Sequence, residues 1–173
     1  MIFEIHVFKY IFLNHKNILV LTYWSFENAL VQTYTLPYVM QIRNCLTDNQ
    51  KIYLFTLSQN KEKSFEIKNQ IESLKKENIF LIEFKYNQFG IEMILKFIFI
   101  LPYLIFFCYR NKIKTLHAWC TTGGALAYII FLFVPAKIIL DSFEPHAESM
   151  VENKTWKENS FAFRLLFRLA KCN

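Results

Sequence analysis

The side chains best suited to chemistry lie in one segment, LDSFEPHAESM, directly after an apolar run. Asp141, Glu144 and Glu148 supply carboxylates, and His146 supplies an imidazole whose ordinary pKa lies near neutrality. Grouped in this way, such side chains can move a proton to or from a substrate, or hold its hydroxyl groups. The segment therefore predicts an acid–base or hydroxyl-binding site, with His146 as the base.

These side chains also have ordinary structural interpretations. His146 can be a solvated loop histidine, and Asp141 and Glu144 can cap the N-terminus of a helix instead of orienting the imidazole. His117, by contrast, lies within an apolar run, so we expect it to pack or to form a hydrogen bond in the core.

A second candidate site is the polar sequence Thr121-Thr122-Gly123-Gly124, which opens an apolar helical segment. Glycines allow close approach of a backbone, and the N-terminus of a helix offers free N–H groups to an anion or to hydroxyls. The alternative is a tight turn with a threonine N-cap. The sequence contains neither G-x-G-x-x-G nor G-K-[ST], so it predicts no dinucleotide fingerprint and no P-loop.

Five apolar runs of strand length alternate with segments of helical length. This alternation predicts an α/β fold with a parallel sheet and helices on both faces. Pro37 should kink or split the first helix, which Ser25 or Asn28 can cap, and Ser64 should cap the second. We expect strands at 17–24, 51–57, 79–86, 113–119 and 137–143, and helices at 29–47, 64–74, 89–110, 125–133 and 159–172.

In a parallel sheet, every loop from a strand to the next helix lies at the same edge. The loop after the first strand supplies polar and aromatic groups, and the candidate segments described above follow the fourth and fifth strands. We therefore expect all three loops to converge on one site. From the first loop we take these residues as candidates for ligand contact: Trp24, Ser25, Glu27 and Asn28.

The composition fits one domain of 173 residues with a large core, because apolar residues make up 54% of the chain. This content excludes a disordered chain. The net charge of +6 is scattered along the sequence, so we expect no nucleic-acid partner. The four cysteines show no zinc-type spacing, so we expect reduced thiols and no metal site. The N-terminus lacks the pattern of a signal peptide.

The apolar stretch 89–110 is nearly long enough to cross a bilayer. Glu92 and Lys96 lie within it, and Pro102 interrupts it. Because charges at that depth are costly in lipid, we expect a helix packed on the sheet, with a membrane span at about 89–108 as the alternative.

Three stretches together resemble the N-terminal domain of bacterial glycosyltransferases of the GT-B fold, of the family-4-like group. They are ILVLTYWSFENALVQTYTLPYV, TLHAWCTTGGALAYI and IILDSFEPHAESMVENKTW. The resemblance implies a Rossmann-like, acceptor-side domain at 17–173, with residues 1–16 as an N-terminal extension or extra element. It also implies that His146 faces the donor sugar, with Glu144 and Asp141 beside it. The loop after the first strand lacks the family's glycine pair, so direct phosphate contact is not expected there.

The resemblance further implies a hexosyltransferase-like enzyme that transfers sugar from a nucleotide-sugar, its substrate, to a saccharide or lipid-linked acceptor without a cofactor. The family's paired donor-site glutamates are not in this sequence, so we expect a fragment that is inactive without a C-terminal donor-binding domain. We expect a cytoplasmic protein at the inner face of the membrane. The membrane contact would involve a basic stripe formed by Arg164, Arg168 and Lys171. This stripe can equally be a solvated helix face. The alternative function is a non-enzymatic α/β binding module or a single-span membrane protein.

Overall fold

A computed structural model describes residues 17–58, 62–85 and 91–141, without the side chains of 91–94 and 121. The expected extension at 1–16 and the expected helix at 159–172 lie outside these ranges. The described elements alternate along the chain, with one π-helical segment, Val31–Thr35, before the first α-helix. They are β1 (Asn17–Leu21), α1 (Leu36–Asn44), β2 (Lys51–Ser58), α2 (Phe65–Lys76), β3 (Ile79–Lys85), α3 (Ile91–Arg110), β4 (Ile113–Trp119), α4 (Cys120–Phe131) and β5 (Lys137–Asp141).

The five strands form one sheet in the order β3-β2-β1-β4-β5, and every neighbouring pair is parallel. The chain runs outward from β1 to β3, crosses back, and adds β4 and β5 on the other side of β1. The predicted α/β fold, a Rossmann-like parallel sheet with helices on both faces, is confirmed.

One face of the sheet is covered by the π-helical segment, α1 and α2. Ile18 and Val20 of β1 point to this face and pack in one cluster with Val31, Val39 and Leu74 from the helices. Alternate residues of a strand face opposite sides, so their neighbours Leu19 and Leu21 reach the other face. There α3 and α4 cover the sheet through buried residues that include Leu104, Cys108, Ala127 and Ile130.

The predicted cap of α2 is confirmed. Ser64 caps α2, because its Oγ accepts a hydrogen bond of 3.3 Å from the backbone N–H of Ile67. The first helix is not split at Pro37, since Thr35 and Leu36 keep helical backbone angles and α1 continues directly from the π-helical segment, with Pro37 in its first turn. Proline has no N–H to donate within a helix, and the wider π turn lies where the regular pattern would be interrupted.

Some predicted boundaries are wrong. The first strand ends at Leu21 and not at residue 24, because the chain bends at residues 23 and 24. The helix after β4 begins at Cys120 and not at residue 125, and it ends at Phe131. β4 has the predicted bounds, and the part of β5 within the described residues, Lys137–Asp141, agrees with its prediction.

α3 packs on the sheet, as expected for the apolar stretch 89–110. Ile100, Leu104 and Cys108 are buried against the strands, one helical turn apart. Among the helices that the structure describes, none is long and apolar enough to cross a membrane.

Candidate functional site

The strand order reverses between β1 and β4, and a crevice is expected at the carboxyl ends of two such strands. These strands are neighbours, with Leu21 paired to Ala118, but their following helices cover opposite faces of the sheet. In open α/β sheets, ligands bind where consecutive connections diverge in this way. The loop after β1 and the start of α4 therefore lie at the two sides of this expected crevice.

The loop after β1 is held by backbone hydrogen bonds. Trp24 O accepts from Leu57 N at 3.2 Å and from Thr22 Oγ1 at 3.1 Å, which fixes the loop to the end of β2. Phe26 is fully buried beneath it, and Phe26 O accepts a bond of 2.7 Å from the side chain of Gln32. A loop restrained at several points can hold a ligand without first being ordered.

One candidate residue of this loop has a structural role. Asn28 acts as a helix cap, because its Oδ1 accepts a bond of 2.9 Å from Leu30 N. That oxygen is therefore already engaged in local structure. Trp24, Ser25 and Glu27 are half-buried.

The start of α4 lies on the other side of the crevice. Cys120 has a φ of 60°, a left-handed conformation that lets the helix begin directly after β4. The N-cap is Trp119, without a capping side chain, so the alternative of a threonine N-cap is wrong. Thr121 to Gly124 form the first turn of α4, where the N–H groups of a helix lack intrahelical acceptors.

The two glycines of this turn allow close packing of α4 on the strands. A Cβ on Gly123 would lie 2.8 Å from Leu21 O, a backbone atom of β1. A Cβ on Gly124 would lie 2.8 Å from Leu140 Cδ1, the end of a flexible side chain. The absence of a side chain at Gly123 thus allows the N-terminus of α4 to lie against the end of β1.

Asp141 ends β5, beside the same crevice. It pairs in register with Trp119 of β4 and is half-buried. Desolvation by burial raises the pKa of its carboxyl above the ordinary value of 3.8. Since adjacent strands lie about 4.8 Å apart, the end of β5 is about 10 Å from the end of β1. This is a short distance for one ligand to bridge.

The described members of the predicted site all lie at the carboxyl edge of the sheet: Trp24, Ser25, Glu27 and Asn28 after β1, Thr122, Gly123 and Gly124 after β4, and Asp141 at the end of β5. Thr121 joins them through its backbone. Glu144, His146 and Glu148 lie outside the described residues, so their positions stay predictions from the sequence.

One aromatic contact at the crevice was not predicted. Tyr38, in the first half of α1, meets Trp119 edge-to-face with ring centroids 5.7 Å apart. Trp119 Nε1 is buried without a hydrogen-bond partner. Pro37 gave a signal for an irregular helix at this point, but no pattern in the sequence linked Tyr38 to the end of β4.

His117 belongs to the core, as predicted. It is 1% exposed and packs on Trp119, with ring centroids 5.6 Å apart, and its Nδ1 has no hydrogen-bond partner. Burial lowers the pKa of the imidazole to about 4. His117 is therefore neutral near pH 7 and lies beneath the crevice, not in it.

Within residues 17–58, 62–85 and 91–141, no three His, Cys, Asp or Glu side chains are grouped so that they could hold a metal ion.

No protein-family model matches this chain, and no curated protein matches it significantly. Among solved structures, the chain is similar to a glycosyltransferase from Rickettsia africae, with 15% sequence identity and a TM-score of 0.49. The match covers 86% of this chain and 34% of that protein, so the chain spans about a third of that protein's length.

Proposed function

We propose that this domain is the acceptor-side half of a GT-B, family-4-like glycosyltransferase. It binds a saccharide or lipid-linked acceptor at the carboxyl edge of the sheet. The observation that supports the proposal is the reversal of the strand order at β1 and β4. The ends of β1, β4 and β5 lie at one edge of the sheet there, and each belongs to a stretch whose sequence resembles this family.

The crevice has the chemistry that a sugar requires. Sugars present hydroxyl groups and apolar ring faces, and they are bound by carboxylates, hydroxyls and aromatic side chains. Asp141 supplies the carboxylate, Ser25 and Thr122 supply hydroxyls, and Trp24 supplies an indole. The first turn of α4 adds N–H groups that can bind a ligand oxygen.

The segment after β5 completes the proposed active site. His146 acts on the donor sugar, with Glu144 and Asp141 beside it, and Glu148 contacts the substrate. These roles come from the sequence resemblance and from the fact that the segment follows Asp141 directly. A second, donor-binding half holds the nucleotide-sugar, so the domain alone transfers no sugar. By the same resemblance, the reaction takes place in the cytoplasm at the inner face of the membrane.

An array of oligosaccharides and glycolipids tests acceptor binding by the full chain. We expect binding to a defined group of saccharides, and a loss of about tenfold or more in the Asp141→Asn variant, because it removes a charge-assisted hydrogen bond. Glu66→Gln, in the first turn of α2, is the matched control and should bind normally. Binding that is identical in both variants would remove Asp141 from the site.

The pH dependence of binding gives a second readout. Because burial raises the pKa of Asp141, its carboxylate is lost on acidification earlier than that of an ordinary aspartate. We therefore expect the affinity for saccharide to fall as the pH is lowered, with a midpoint above 3.8. The Asp141→Asn variant should show no such step.

Sugar transfer is tested with a donor-binding half supplied as a separate chain. The pair should transfer sugar, and His146→Ala should abolish transfer while leaving acceptor binding in place. Saccharide binding without transfer, in the presence of a functional donor half, would instead favour the alternative of a non-enzymatic binding module.

A further inference from the structure

The outer surface of α3 and α4 carries large apolar side chains that no described residue covers. Six of them, each 44–62% exposed, define what we call the α3–α4 corner: Phe106, Tyr109, Tyr128, Phe131, Leu132 and Phe133. The hydroxyl of Tyr109 donates a hydrogen bond to Phe133 O, which ties the end of α3 to the turn after α4. The corner is therefore formed by two elements that are joined by a hydrogen bond.

The apolar outer side of α3 is not explained by its packing on the sheet. Its inner side already buries Ile100, Leu104 and Cys108. Phe106 and Tyr109 lie one turn apart on the opposite side and face solvent. Exposed apolar clusters of this size mark surfaces that contact another molecule or a membrane.

The charge around the corner is of one sign. Residues 93–140 include no Asp or Glu, and their charged residues are Lys96, Arg110, Lys112, Lys114 and Lys137. Arg110 ends α3 directly beside Tyr109, and Lys112 and Lys114 follow it into β4; all three are exposed. The acidic Asp48 and Glu77 belong to the connections of α1 and α2, which cover the other face of the sheet.

This combination selects among the possible occupants. A second copy of the chain would set basic residues against basic residues, which is unfavourable. An anionic bilayer complements the charge, and its interface accommodates Tyr and Phe side chains. Basic residues beside exposed aromatic groups are typical of proteins that lie on a membrane surface.

We propose that the α3–α4 corner docks on the surface of an anionic phospholipid bilayer, with its aromatic side chains in the interface and Arg110 and Lys112 against the headgroups. This binding does not depend on the proposed transferase activity. The corner lies at the C-terminal ends of α3 and α4, next to the amino edge of the sheet, whereas the crevice lies at the opposite, carboxyl edge.

Vesicle co-sedimentation of the full chain tests the proposal without any saccharide or nucleotide-sugar. The probes are vesicles of phosphatidylcholine alone and vesicles of phosphatidylcholine with an equal amount of phosphatidylglycerol. We expect binding to the anionic vesicles only, weakening as salt is added. Equal binding to both kinds of vesicle, or none to either, would overturn the proposal.

Two paired variants locate the contact. Phe106→Ser with Phe133→Ser should weaken binding at least about tenfold, because two aromatic groups no longer enter the interface. Arg110→Glu with Lys112→Glu should weaken it at least about 25-fold, as each basic residue near an anionic surface contributes about fivefold. Circular dichroism and the urea midpoint show whether the variants remain folded.

The controls are matched in residue type and lie on α2, on the other side of the sheet. They are Phe65→Ser, at a phenylalanine 77% exposed, and Lys75→Glu with Lys76→Glu, in the last turn of α2. Both controls should bind like the original chain. If corner and control variants behave alike, the corner is not the membrane contact. A concentration-dependent dimer that only the Phe106/Phe133 variant abolishes, without vesicle binding, would overturn the proposal in favour of self-association.

Discussion

The imidazole of His117 shows how a single buried residue ties stability to pH. Its pKa is lowered to about 4 by desolvation, against 6.5 for an exposed histidine. Between these values the unfolded chain binds a proton that the folded chain does not. The stability that the neutral His117 contributes is therefore fully present above pH 6.5 and is lost as the pH falls to about 4.

We predict that this loss amounts to about 3 kcal/mol in the free energy of unfolding, since each pKa unit corresponds to about 1.4 kcal/mol. Chemical denaturation at several pH values measures it, with His117→Leu as the comparison. The titration of Asp141 changes stability in the opposite direction, because its pKa is raised in the folded chain. Asp141 is present in both the original chain and the His117→Leu variant, so the difference in their pH dependence measures the contribution of His117. An equal pH dependence in both would contradict this account.

Gly123 and Gly124 are adjacent in sequence but differ in what surrounds them. Replacing either with alanine gains about 1 kcal/mol of helix propensity. The new Cβ on Gly123 meets the backbone of β1, which must move, whereas the Cβ on Gly124 meets only the movable end of Leu140. The difference in stability between Gly123→Ala and Gly124→Ala therefore measures the cost of the contact with the backbone of β1.

We predict that Gly123→Ala is less stable than Gly124→Ala by about 1–3 kcal/mol, the usual cost of overpacking. Thermal or urea unfolding of both variants measures the difference. Saccharide binding should also weaken in Gly123→Ala, because the crevice widens. Equal stability of the two variants would mean that α4 can shift on β1 without cost.

At the scale of elements, the cap of α2 is the sharpest sequence signal that the structure confirms. We predict that Ser64→Ala lowers stability by about 1 kcal/mol, because Ile67 N loses its acceptor. Ser73→Ala in the same helix is the control, since Ser73 is exposed within the helix and alanine has the higher propensity. Urea unfolding should show a lower free energy of unfolding for Ser64→Ala and not for Ser73→Ala.

The elements that could be predicted from the sequence are those whose own residues show the pattern of a strand or of a helix end. The segment IKTLHAW predicted the bounds of β4, and Ser64 predicted the cap of α2. The start of α4 could not be predicted, since glycines usually interrupt helices and only close packing on β1 requires Gly123 there. The left-handed conformation of Cys120 likewise depends on the strand that it follows.

At the scale of the whole molecule, the alternation of strands and helices was sufficient to predict a parallel sheet covered on both faces. The same reasoning predicted that the loops after β1 and β4 and the end of β5 meet at one edge. The strand order and the Tyr38–Trp119 contact were not predicted, because both depend on packing between segments that are distant in sequence. The exposed outer side of α3 also needed the structure, since an apolar helix has no visible inner and outer side in its sequence.

The central claim is that the carboxyl edge at β1, β4 and β5 binds the acceptor sugar. Its most direct test is a titration of the isotope-labelled full chain with a saccharide that binds on the array, followed by amide NMR. We expect the largest shifts at Trp24–Glu27, at Cys120–Gly124 and at Asp141, with little change along α2 or at the amino ends of the strands. Shifts concentrated at the amino edge of the sheet or on the α3–α4 corner would contradict the claim.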